Sequence, residues 1–149
     1  MPTFEPQTPD YVARVRASFD AQPLMRTLGA MLTTVEPGVV HIELPFSAAL
    51  TQQHGYVHAG AITSIVDSAC GYAAFSLMPA GAEVLTVEFK VNLLNPARGE
   101  RFVAVGRVIK PGRTLTVCQG EVTALAGKER RTVALMQATM MQVGASNRA

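Results

Sequence analysis

From Gly60 to Met78 the chain reads GAITSIVDSACGYAAFSLM, with small and apolar residues on every side of a helical projection. Such a helix cannot lie on a surface, because it has no broad polar face to give to water. Something must wrap it. Lipid could do so, and the length suffices. However, Asp67, Thr63, Ser64, Ser68 and two glycines make a poor lipid-facing surface. The sequence therefore predicts a helix enclosed by its own chain, without membrane contact. Pro79 and Gly81 end it.

The flanking segments supply a wrapper. Ala30 to Val35 leads into Glu36-Pro37-Gly38, a type II turn signal. Beyond it Val40, Ile42, Leu44 and Phe46 alternate with polar positions, predicting a half-buried strand that pairs back as a hairpin. After the helix, Leu85, Val87, Phe89, Val91 and Leu93 alternate with Thr86, Glu88, Lys90 and Asn92. Three more strand-like runs follow, about Arg101 to Ile109, Thr114 to Leu125 and Arg130 to Gln142. Pro111-Gly112 and Gly127-Lys128 mark the turns between them. Strands joined by short turns imply an antiparallel sheet. The expected class is α+β, one sheet curved around one long helix. That curvature needs bulges, for which Gly106 and Gly120 are the candidates. Upstream, residues 1–27 read as a helical segment. Thr8 is placed to cap it, Pro9 suits its first helical position, and Tyr11, Val15 and Phe19 form an apolar stripe. No linker or repeat interrupts the chain, so residues 1–149 are expected to form one domain, with 145–149 as a flexible tail.

Composition narrows the functional classes. The net charge is only +2, too weak and scattered for nucleic acid as the main partner. Charged residues make up just 16%, which points to surface buried against a second subunit. Cys70 and Cys118 lie in apolar segments and read as reduced thiols of a cytoplasmic protein. Buried among apolar residues and without a nearby base, Cys70 is a core residue, not a nucleophile. The three histidines have no cysteine partners to complete a ligand set, so no metal is expected. MPTFEPQTPD carries prolines and acids where a signal peptide needs a basic and then an apolar run.

Asp67 is the anomaly of the long helix. Its neighbours one turn away are Thr63, Ser64, Cys70 and Gly71, none of them cationic. Either it makes hydrogen bonds to a neighbouring strand, or it is a catalytic carboxylate in a tuned environment. His58 is the nearest candidate partner. It stands nine residues earlier, about 13 Å along the axis and on nearly the opposite side. One chain cannot bring both to one atom, but a two-fold dimer can pair Asp67 of one subunit with His58 of the other. The loop QQHGYVHAG ends at the helix N-terminus. There the N–H groups of Ala59 and Gly60 are placed to stabilise an oxyanion.

At these residues the sequence resembles the hotdog-fold acyl-CoA thioesterases of the phenylacetate-degradation (PaaI-like) type, from about Leu28 to Met141. VHAGAITSIVDSA matches their His-Gly-Gly turn and the Asp seven residues beyond, through His58, Gly60 and Asp67; Ala59 replaces the first glycine. VLTVEFKVNLLNPARGE and VIKPGRTLTV resemble the downstream strands. The resemblance implies hydrolysis of an acyl-CoA to CoA and a carboxylic acid, with no cofactor. Asp67 would be general base or nucleophile, the Ala59 N–H would hold the carbonyl oxygen, and His58 would position the thioester. It further implies an upstream amide, for which Gln52 and Gln53 compete, and a strand hydroxyl near the acid, here Thr86. CoA phosphates call for cations, and Arg113, Lys110, Lys90 and Arg98 are the candidates. The implied assembly is a homodimer with shared active sites, or a dimer of dimers. A hotdog enoyl-CoA hydratase and a non-catalytic acyl-CoA-binding protein are the alternatives. Tyr72, Phe75, Leu77 and Met78 are expected to be core.

Overall fold

The computed structural model describes residues 3–144. The tail expected at 145–149 lies outside the described residues. Two short helices come first, α1 (Tyr11–Ala21) and α2 (Pro23–Leu28), followed by strands β1 (Met31–Glu36) and β2 (Val39–Pro45). The long helix α3 (Ala59–Phe75) precedes β3 (Glu83–Leu93), β4 (Arg101–Lys110), β5 (Leu115–Ala126) and β6 (Glu129–Val143). All six strands form one antiparallel sheet in the order β1-β2-β4-β5-β6-β3. Its concave face wraps α3, which packs against β2 through β6. This is the expected α+β hotdog fold. Among the described residues no helix is long and apolar enough to cross a membrane.

The helix sits deep because the sheet is notched beneath it. Gly106 and Gly120 are directly paired across β4 and β5. A Cβ on Gly106 would fall 2.3 Å from the Ala69 carbonyl group. One on Gly120 would fall 2.4 Å from Val66 Cγ2 and 2.9 Å from Cys70 Sγ. These glycines were expected to be bulges and are not; they are regular strand positions whose side chains must be absent. The bulges lie elsewhere, at Leu32/Thr34, Thr86/Glu88, Val108/Lys110 and Val122/Thr123. Ala104, Cys118, Val122, Met136, Ala138 and Met140 fill the floor around the notch and are buried. Cys118 Sγ donates to the Cys70 carbonyl at 3.5 Å. Burial pushes the Cys118 thiol up to about 12 and the Cys70 thiol well above its ordinary value. Both are protonated core groups.

The bulge in β3 overturns the simple alternation read from the sequence. Thr86 pairs with Met140, but the next pair is Glu88 with Thr139, so Val87 is the extra residue. Residues directly opposite share a face. Thr86 therefore faces the helix together with Phe89, Val91 and Leu93, whose partners Ala138, Met136 and Ala134 are buried. Leu85 turns to the outer face instead. A bulge adds one residue to one strand and so inverts the alternation beyond it.

Three boundaries also differ. Thr8 does not cap α1: the helix starts at Tyr11 with Asp10 at the cap position and no side-chain cap bond. The Thr8 hydroxyl instead accepts from Arg14 (2.9 Å), whose guanidinium also reaches the Met78 and Pro79 carbonyls at 3.1 and 3.0 Å. Arg14 thereby satisfies carbonyls beyond the end of α3 and pins α1 to it. Phe46 lies past the end of β2 and is exposed, because Pro45 terminates the strand. The helix ends at Phe75, three residues before Met78, where Ser76 turns back to donate to the Ala73 carbonyl and accept from the Gly38 N–H.

The notch sets a strong asymmetry between two glycine substitutions. Gly106→Ala should lower stability by about 3 kcal/mol or more, since backbone cannot yield as a flexible side chain can. Gly71→Ala meets nothing within 4 Å and should raise it by about 0.5–1 kcal/mol through helix propensity. Urea unfolding of the two variants beside the wild type measures the difference.

Candidate active site

Asp67 follows Val66 by one residue, so it lies about 100° around α3 from a residue pressed into the notch. That angle brings its carboxylate to the rim of the sheet, where β3 runs past. Thr86 Oγ1 donates to Asp67 Oδ1 at 2.8 Å. The same bulge that inverts the alternation is what turns Thr86 toward the acid. Among the described residues the only ion pair is Arg101–Glu43, so Asp67 has no cationic partner. Burial of the half-exposed carboxyl raises its pKa, and the Thr86 hydrogen bond offsets part of that rise. A carboxylate that ionises reluctantly and faces an open cleft is suited to take a proton. The cleft holds about 280 Å³ and runs between α3, the first half of β3 (Glu83, Val84, Thr86) and the N-terminal helices (Ser18, Gln22).

The other expected residues surround a second cleft, of about 520 Å³, at the N-terminal end of α3. Gln52, Gln53, Tyr56, His58 and Ala59 line one side; Leu93 and Leu94, at the end of β3, line the other. His58 stands at the N-cap of α3, and its Nδ1 accepts from the Gly60 N–H at 2.8 Å. This corrects the expectation that both N–H groups at the helix start are free. Gly60's is taken by the imidazole, whereas Ala59's has no acceptor among the described residues. With Nδ1 accepting, a neutral His58 carries its proton on Nε2. Glycine at position 60 gives this cap room, since a Cβ there would approach His58 Nδ1 to 3.0 Å. Ala59 has negative φ, as every described non-glycine residue does, so its methyl group imposes no backbone strain.

The two glutamines divide by environment. Gln52 turns its Oε1 back to accept from the His54 N–H. Gln53 is exposed, and its amide makes no hydrogen bond to a described residue. The candidate CoA-binding cations are not gathered. Arg113 lines a third cleft beside Leu77 and Met78 at the far end of α3. Lys90 faces outward on β3 opposite Gln137. Lys110 ends β4, and Arg98 follows Pro96 and Ala97, which line the His58 cleft, without lining it itself. Within one chain, therefore, Asp67 meets Thr86 but not His58, Ala59 or either glutamine.

With this geometry, the sequence profile of the thioesterase superfamily matches residues 54–130, just over half of the chain and including His58, Asp67 and Thr86. The chain belongs to the thioesterase superfamily. A relative named "Putative esterase" from Halobacterium salinarum is 30% identical over 122 residues, covering 78% of this chain and 80% of the relative. The crystal structure of a thioesterase family protein from Silicibacter pomeroyi is 55% identical, with a TM-score of 0.89. That match covers 91% of this chain and 99% of the other. The PaaI protein of the E. coli phenylacetic acid degradation operon is 19% identical with a TM-score of 0.82, covering 93% and 96%. At that identity the likeness is one of fold. Ser18 and Gln22, which wall the Asp67 cleft, went unnoticed in the sequence. The signal available for them was a polar pair at i and i+4, in or just beyond a helix whose apolar stripe lies elsewhere.

The raised pKa of Asp67 separates a catalytic from a supporting role. The carboxyl ionises less readily in the folded chain than in the unfolded one. Its ionisation thus costs stability, increasingly as pH rises from the ordinary carboxylate range through Asp67's own pKa. Asp67→Asn cannot ionise. It should match the wild type in acid and melt at a higher temperature at neutral pH, in thermal scans across that window. A lower melting point at neutral pH would instead make the carboxylate a structural group.

Proposed function

We propose that this thioesterase-superfamily chain hydrolyses acyl-CoA thioesters as a homodimer with shared sites, in the manner of the PaaI-like group. The observation that carries the reading is the position of the two clefts along β3. Strand β3 is a sheet edge, paired only with β6. Leu85, Val87, Phe89 and Leu93 on it are 45–54% exposed. An open apolar edge is a template for another strand. The Asp67 cleft borders the first half of β3 and the His58 cleft its end. Antiparallel pairing of β3 with its two-fold copy sets the first half of one strand against the end of the other. It therefore joins the Asp67 cleft of one subunit to the Ala59–His58 cleft of its partner.

In that joint site the thioester carbonyl oxygen takes the free Ala59 N–H at the positive end of α3. Asp67 of the other chain activates water to displace the CoA thiolate, or itself attacks the carbonyl and expels that thiolate, giving a mixed anhydride that water then opens. Thr86 orients the carboxylate and leaves its second oxygen to react. His58 Nε2–H and the free amide of Gln53 hold the thioester. The CoA chain leaves past Pro96 and Ala97, beside Arg98.

Ala59 allows a clean test. It is the first residue of α3, where proline is tolerated, and His58 before it has φ −60° and ψ 139°, a conformation that proline accepts in its predecessor. Ala59→Pro removes the N–H and little else. It should lower kcat by about 100- to 1000-fold, and Asp67→Asn by at least as much, in thiol-release assays over aromatic and aliphatic acyl-CoAs. Mixing the two inactive variants should recover about a quarter of wild-type activity, since each heterodimer regains one complete site. No recovery from subunits that exchange would overturn the shared site. Thr86→Val removes a donor that favours the ionised acid, so the acid limb of its kcat/KM profile should move to higher pH.

A further inference from the structure

The Thr86 hydroxyl has one hydrogen and two acceptors. Its Oγ1 stands 2.8 Å from Asp67 Oδ1 and 3.4 Å from Met140 Sδ. Met140 lies directly opposite Thr86 in the β3–β6 pairing, in the last pair before the bulge, and is fully buried. A buried methionine ordinarily fills space. Its neighbours on the same face of β6, Met136 and Ala138, are buried and apolar, and that floor asks nothing more of position 140. The thioether is also a weak acceptor, however, and here it is within reach of the hydroxyl that holds the candidate base. Passing the hydrogen from carboxylate to sulfur needs a rotation about the Cβ–Oγ1 bond and no movement of heavier atoms.

The two acceptors respond differently to charge. An ionised carboxylate takes the hydrogen, because charge-assisted hydrogen bonds are roughly twice as strong as neutral ones. Once Asp67 carries a proton, that advantage is gone. The neutral acid can itself donate to Thr86 Oγ1, and the Thr86 hydrogen then needs another acceptor. Among the described residues Met140 Sδ is the one it reaches. Resting on the thioesterase reading with Asp67 as the base, we propose that Met140 is a positioning residue. Its sulfur takes the Thr86 hydrogen whenever the carboxyl is neutral, so that Thr86 holds the acid in both protonation states. The Thr86 hydrogen changes acceptor and never leaves its oxygen; the proton drawn from water stays on the carboxyl. The sulfur thereby favours the protonated form and makes Asp67 a stronger base, opposite in sign to the effect of the hydroxyl on the ionised form. The other groups around Asp67 are shared by every variant compared below. Glu83 of β3 and Tyr72 of α3 line the same cleft, Cys70 follows one turn along the helix, and the N-terminal helices supply Ser18, Ala21 and Gln22, none charged. Residues 136–142 of β6 hold no charged side chain. The proposed dimer adds His58 of the other subunit.

The test follows the Asp67 carboxyl directly. The chain has three aspartates, Asp10, Asp20 and Asp67, so carbon-13 NMR of aspartate-labelled protein resolves its titration, and Asp67→Asn assigns the signal. Met140→Leu keeps the volume and drops the sulfur, a swap that cores tolerate; Met140→Ile is a second such variant. Each should lower the titration midpoint by about half a pH unit, a roughly threefold loss of proton affinity, in line with one weak hydrogen bond. Thr86→Val should raise the midpoint. Adding Met140→Leu to Thr86→Val should change nothing further, because the shared hydrogen is already gone. The acid limb of kcat/KM should move with the titration. A midpoint that stays or rises in both Met140 variants, or that falls equally on the Thr86→Val background, overturns the proposal and leaves a space-filling methionine. That readout needs no substrate. A wild type that releases thiol from no acyl-CoA fails the thioesterase reading, and the titration still decides whether the sulfur serves the carboxyl.

Discussion

The contact on which the structure turns is the seat of α3 in the Gly106–Gly120 notch. Two adjacent strands give up a side chain at the same register position, and the Ala69–Cys70 backbone drops into the gap. This fixes both the depth of the helix and its rotation. Rotation matters most, because Asp67 is carried at a set angle from Val66. A helix lifted by one methyl group would sit farther from the sheet rim and separate Asp67 from Thr86. The core and the site thus share a determinant, and close packing transmits one to the other.

The sequence made the long helix, the succession of helices and strands along the chain and the hairpin turns legible, because each is written in local pattern. The mixed polarity of GAITSIVDSACGYAAFSLM was enough to require an enclosing sheet. The isolation of Asp67 was equally plain, as was the need for a second chain to bring His58 near it. Two glycines could be flagged as special but not understood. Their role depends on which helix residues come to lie above them, and no local pattern states that. The β3 bulge was hidden for a related reason. VLTVEFKVNLL alternates without a break, and only the pairing with β6 shows that Val87 has no partner.

The helix N-terminus shows how one residue can settle several questions. A histidine is an uncommon cap, and from the sequence His58 looked free to act on substrate. Its Nδ1 is instead committed to the Gly60 N–H. That commitment fixes the tautomer of the neutral ring, gains room from the glycine at the second position of α3, and leaves the Ala59 N–H open. Alanine in place of the glycine of the PaaI-like enzymes that the sequence resembles is therefore compatible with the proposed oxyanion role, since Ala59 keeps a free amide and ordinary helical backbone.

In the proposed dimer, association and chemistry depend on the same edge. Strand β3 leaves its hydrogen-bonding groups and apolar side chains open, a liability in a lone subunit. Pairing closes the edge and brings each carboxylate to the other subunit's helix N-terminus. It also removes water from around Asp67, which already ionises reluctantly. The carboxylate then becomes a stronger base only where a thioester can reach it, and a separated subunit presents neither a complete oxyanion site nor a fully desolvated acid. Thr86 moderates the effect by holding one oxygen, so that enough of the acid remains ionised near neutral pH to accept a proton.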